Sequence, residues 1–141
     1  MKRVVFVEEC KDLADWLNYA KVFYLATADK DGTPHVRPFG AAVRHDGGVW
    51  FCTRQEEIVH EQPVKKAKAE LVAMLPNVGG PCWVRARGTI VLEDNVGARD
   101  AMIEYHPEFR VIHADKLQML HFIGEANLFD PGCQMIRELK V

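Results

Sequence analysis

The chain has 141 residues, 48% apolar and 27% charged, with a formal net charge of -2. That is enough for one globular domain, residues 1–141, with a sizeable core, and it excludes bulk electrostatic attraction to nucleic acid or an anionic membrane. No apolar run approaches the roughly 20 residues of a membrane span, and the absence of serine excludes every serine-nucleophile hydrolase.

The opening "MKRVVFVEECKD" turns acidic too early for a secretory signal, so a cytoplasmic location is expected. "EECKDLADWLNYA" (8–20) spaces Leu13, Trp16, Leu17 and Ala20 as one helical face. "KVFYLATAD" (21–29) is a strand that ends at the turn "DKDG". "TPHVRPFGAAVRH" then reads as a second strand, "DGG" as a hairpin turn, and "VWFCT" as a third strand of an antiparallel meander.

At Thr53 the pattern changes. "TRQE" fits a capping box, so a helix over about 54–68 is expected, interrupted at Pro63. "AELVAML" (69–75) and "CWVRARGTIVLED" (82–94) are strands, and "NVGARDAMIEYHP" is a helix stopped by His106-Pro107. "KLQMLHFIGEANLFD" and "CQMIRELKV" close the chain as strands around "DPG". Many short strands with two or three helices indicate a small antiparallel barrel with helices at its mouth.

Three segments hold the candidate chemistry. In "HVRPFG" the alternation of a strand puts Arg37 on the face of Phe39 and, if the strand continues, of Ala41 and Val43. A guanidinium on an apolar face needs a partner, and Pro38 donates no ladder hydrogen bond, which marks an edge, a bulge or a gap facing a ligand. In "CWVRARG", Trp83, Arg85 and Arg87 share one face while Val84 and Ala86 take the other. Arginines over a tryptophan on a solvated strand are the ordinary explanation of that pattern. Thr53 stands at a strand-to-helix junction, whose exposed N–H groups can receive an anion or can simply cap a helix.

The cysteines Cys10, Cys52, Cys82 and Cys133 are scattered, so neither a zinc site nor a disulfide framework is expected, only free thiols that are mostly buried. Six histidines show no ligand spacing, and no G-x-G-x-x-G or P-loop is present. These residues alone describe a small barrel with an arginine-bearing face and a candidate anion site.

"FYLATADKDGTPHVRPFG", "GGVWFCT", "CWVRARGTIVLED" and "MIEYHPEF", in that order, resemble the pyridoxamine 5'-phosphate oxidase-like family of FMN-binding split barrels, over roughly residues 10–130. The likeness is to its short bacterial branch. It implies an antiparallel Greek-key split barrel that forms a homodimer, with FMN held in two clefts between subunits. It further implies cofactor contacts from Arg37, Pro38 and Phe39, from Cys52, Thr53, Arg54 and Gln55 at the junction, and from Trp83 and Arg85. No catalytic residue and no metal follow from it.

Two departures qualify the resemblance. The turn that carries lysine in good FMN binders reads Gln55, Glu56, Glu57 here, and two carboxylates would repel a phosphate, so FMN is expected to bind weakly. Arg54 offers partial compensation. The pyridoxal-phosphate residues of the true oxidase are not found, so vitamin B6 oxidation is not expected. A flavin-dependent oxidoreductase for an unidentified small substrate, with deazaflavin as a variant, and a non-catalytic module for flavin, haem or another planar anion both remain open.

Overall fold

The computed structural model describes residues 9–54, 66–75, 82–112 and 116–141. Helix α1 (Leu13–Ala20) starts later than its periodicity alone predicts, because Asp12 caps it: the Asp15 N–H donates to Asp12 Oδ1 at 3.0 Å. Strands β1 (Phe23–Ala28) and β2 (Pro34–Phe39) form a hairpin, and β3 (Ala42–His45) with β4 (Gly48–Arg54) forms another. β5 (Lys66–Met74), β6 (Trp83–Leu92), helix α2 (Val96–Tyr105), a short 3-10 turn (Pro107–Val111), β7 (Leu117–Phe129) and β8 (Met135–Leu139) complete the order.

The strands make one antiparallel sheet in the order β2-β1-β5-β6-β7-β4-β3, and β8 pairs the second half of β7. The sheet does not close on itself. Its ends, β2 and β3, are consecutive in the chain and part at Gly40–Ala41. The architecture is a split barrel.

That break corrects the expected single strand over 33–45 and the meander built on it. Gly40–Ala41 shifts the alternation, so Phe39 joins the inner core while Ala41 and Val43 join a second cluster outside it. The turn after β3 is as expected: Asp46 and Gly47 both have positive φ, 51° and 78°, the two-residue reversal that favours Asp-Gly. A second correction concerns Lys66–Lys68, expected in a helix and found in β5, where they pair with Val91, Ile90 and Thr89. The rest of that expected helix lies outside the described residues.

Two apolar clusters sandwich part of the sheet. The inner one gathers Trp16, Phe23, Phe51, Leu71, Phe122 and Leu128 inside the barrel and under α1. The outer one sets Ala98 and Met102 of α2 against Val43, Trp50, Cys52, Leu117 and Met119. Helix α2 therefore covers the outer face of β3, β4 and the first half of β7, leaving the outer face of β2, β1, β5 and β6 without a layer among the described residues. No described helix is long and apolar enough to cross a membrane.

Candidate functional site

The β1–β2 hairpin sets up the site. Its register places Arg37 opposite Leu25 and His35 opposite Thr27, so these four side chains share the inner face. With Phe39, Ile90 and Leu120 they line a partly open cleft on the inner face of the sheet. Its walls are apolar apart from Arg37, His35 and the Thr27 hydroxyl. Arg37, which the sequence marked as a cation on an apolar face, is half-buried in this cleft.

His35 is positioned by the turn before it. Its Nε2 lies 3.0 Å from Asp29 Oδ2, with side-chain exposures of 24% and 28%. The turn fixes Asp29 in its place: the Thr33 N–H donates to Asp29 Oδ1 at 3.0 Å, and the Asp29 N–H donates to the Thr33 carbonyl. Gly32, at φ +89°, supplies the backbone conformation this reversal requires. The sequence reading passed over His35 for want of metal-ligand spacing. Strand alternation alone puts it on the face of Arg37 and Phe39, and the hairpin register adds its contact with Asp29.

Thr53 follows Phe51 on the inner face of β4 and is buried. Phe39 and Phe51 approach to 6.3 Å between ring centroids, which brings β2 and β4 together across the split. Arg54 ends β4, and Gln55 with Glu56 and Glu57 lies outside the described residues.

Pro38, Trp83 and Arg85 lie on the opposite, outer face. The register aligns Pro38, Tyr24, Val72, Arg85 and Asn127 in one row across five strands. Trp83 stacks on Phe129 with centroids 4.3 Å apart, and the Arg85 guanidinium sits 4.8 Å from the Phe129 ring centre. Its Nε is buried with no hydrogen-bond partner among the described residues. The expected contact residues therefore form two groups, Arg37, Phe39 and Thr53 on the inner face of the sheet and Pro38, Trp83 and Arg85 on the outer.

Cys52 belongs to neither. It points under α2, where burial, reinforced by the Glu108 carboxylate, pushes its thiol up to about 12. Burial likewise pushes Cys10 up to about 11 and raises Cys82, whereas Cys133 is exposed. Thiols raised in this way stay protonated and unreactive at neutral pH. An aromatic disulfide reagent should therefore titrate one thiol rapidly in native protein, and all four only after unfolding. A rapid reaction lost in Cys52→Ala would refute this assignment.

Residues 10–122 match the family described as pyridoxamine 5'-phosphate oxidase. No curated protein sequence matches the chain. Among solved structures, a NimC/NimA family protein from Clostridium acetobutylicum superposes with a TM-score of 0.68 at 24% identity, over 86% of this chain and 88% of that one. HutZ, described as a haem storage protein from Vibrio cholerae, gives 0.63 at 14% identity, over 92% and 94%. A C. acetobutylicum protein related to general stress protein 26 of B. subtilis, of the pyridoxinephosphate oxidase family, gives 0.57 at 18%, over 86% of each chain. At these identities the likeness is one of fold.

Proposed function

The chain belongs to the pyridoxamine 5'-phosphate oxidase family, and from that premise we propose that it is a homodimeric FMN-binding protein serving flavin-mediated redox of a small substrate. The observation that carries this reading is a guanidinium, that of Arg37, in a cleft whose other walls are mostly apolar. Such a site suits an anionic group attached to an apolar body, and a phosphate meets that description. Bound flavin would supply the redox step, while the protein binds, orients and shields it.

The outer face supports the dimer. Tyr24, Val36 and Met74 are exposed there, on strands that no described helix covers, and Ile123 is exposed at the middle of β7. An apolar patch of that kind marks an interaction surface, and a second copy would cover it symmetrically. It would also bring acceptors to the buried Nε of Arg85. Sedimentation at micromolar concentration should give twice the 16.0 kDa of one chain. A monomer would remove the shared-cleft arrangement.

A second reading is haem binding, favoured by the fold likeness to HutZ. Mass spectrometry and the visible spectrum of the ligand that co-purifies separate the two, since flavin and haem differ in both. FMN added to apo-protein should quench its tryptophan fluorescence, and a quenching lost in Trp83→Phe would move the flavin to the outer face. Added haem binding tightly where FMN does not would reverse the order of the two readings.

A further inference from the structure

We propose that Asn18 stands in for a missing strand at one end of the sheet and so keeps the barrel split, while two prolines close the edge at the other end.

The two ends of the sheet are β2 and β3, where a strand ordinarily presents unpaired backbone groups. On a strand the N–H and C=O of one residue point to the same side, and those of the next residue to the other. The Asp29 N–H donates to the Thr33 carbonyl, one step beyond the Ala28–Pro34 pair of the hairpin register. Alternation from there turns the backbone groups of His35, Arg37 and Phe39 toward β1, and those of Pro34, Val36 and Pro38 toward the open edge. Proline has no N–H, so the outward edge of β2 keeps only the donor of Val36. Pro38 thus serves to blunt an edge.

β3 contains no proline, and a side chain does the work there. The Ala42 N–H donates to Asn18 Oδ1 at 3.0 Å, and Asn18 Nδ2 donates to the Ala42 carbonyl at 2.8 Å. A carboxamide carries an acceptor and a donor side by side, so it reproduces the two bonds that a residue on a neighbouring strand would make. Ala42 stands opposite Phe51 of β4 and is fully buried, so without Asn18 these groups would lie unpaired and away from water. His106, at the end of α2, brings Nε2 to 3.2 Å from the same carbonyl. A carbonyl only accepts, so Nε2 is a second donor to it.

Helix α1 holds the carboxamide in place. Leu13, Trp16 and Leu17 anchor the helix in the inner core. At its start Asp12 Oδ2 lies 3.3 Å from the Nε of Arg44, two residues along β3 from Ala42. The helix therefore runs beside β3, with its first residue at Arg44 and its last turn at Ala42. Asparagine is a poorer helix former than leucine, so the helix itself gives no reason for Asn18. With both ends occupied in this way, the faces of the sheet rather than its ends are left for a partner copy.

The test is backbone amide exchange followed by NMR, together with thermal unfolding, for wild type, Asn18→Leu and Asn18→Asp. In wild type the Ala42 amide should exchange at least about 100-fold more slowly than an unstructured one, although it faces the end of the sheet. In Asn18→Leu it should accelerate at least about tenfold relative to Val43, whose N–H faces β4. The same variant should melt about 3 °C or more below wild type, against the sign expected from helix propensity. Asn18→Asp keeps the acceptor and loses the donor, so the Ala42 amide should stay protected while the melting temperature still falls. An unprotected Ala42 amide in wild type would overturn the proposal. Equal acceleration of Ala42 and Val43 in Asn18→Leu, or a leucine variant as stable as wild type, would reduce Asn18 to a packing residue and overturn it too. Should Asn18→Leu fail to fold, wild type and Asn18→Asp decide the question by the same two readouts.

Discussion

Replacing Gly88 by alanine is expected to lower the thermal unfolding midpoint by about 10 °C or more, corresponding to a loss of at least about 3 kcal/mol. The cause is the closeness of β6 and β7. A Cβ built on Gly88 would lie 2.0 Å from the carbonyl oxygen of Ile123 and 2.7 Å from the Cα of Gly124. A Cβ on Gly124 would meet the Arg87 carbonyl oxygen at 2.1 Å. These obstacles are backbone atoms, so no side-chain rotation relieves them; the strands must separate. They cannot do so cheaply, because Gly88 and Gly124 face each other near the middle of the long β6–β7 ladder. Gly124→Ala should be about as harmful. Gly40→Ala is the control: its Cβ would lie 3.6 Å from the Lys21 carbonyl oxygen, in ordinary contact, so the expected change is within about 0.5 kcal/mol. Melting curves of the three variants settle the matter. Equal midpoints for Gly40→Ala and Gly88→Ala would mean that the strands are not so closely apposed.

That glycine pair also shows where sequence reasoning stops. "CWVRARGTIVLED" is legible as a strand, and its alternation correctly puts Trp83, Arg85 and Arg87 opposite Val84 and Ala86, because period-two burial is a local property. The partner strand that makes Gly88 indispensable is 36 residues away, at Gly124, and no local pattern announces it. The same limit explains Arg37. Alternation placed it on one face with Phe39, and the cleft confirms that pairing, but the face could not be extended past Gly40. There the chain leaves one end of the sheet for the other, and Ala41 and Val43 pass to the outer cluster under α2. Lys66–Lys68 fall within the helix expected from the capping box at Thr53, and pairing with β6 overrides that local signal. Alternation also puts His35 on the face of Arg37 and Phe39, whereas its contact with Asp29 depends on the hairpin register and the turn, neither of which is a motif.

Arg37→Ala is expected to weaken FMN binding by about 1.5–3 kcal/mol, roughly 10- to 150-fold, with riboflavin much less affected. A charge-assisted contact to phosphate is worth that much when it is partly shielded from water, and Arg37 is half-buried in a cleft whose walls are mostly apolar. Truncation also removes an aliphatic stem from the face that carries Leu25 and Phe39, so some loss of stability in the ligand-free protein follows from packing alone. The measurement must therefore pair ligand affinity with the apo-protein melting temperature. Loss of FMN affinity with a small change in apo melting identifies a ligand contact; a large drop in apo melting with FMN affinity preserved identifies a structural cation, and the phosphate must then be sought elsewhere.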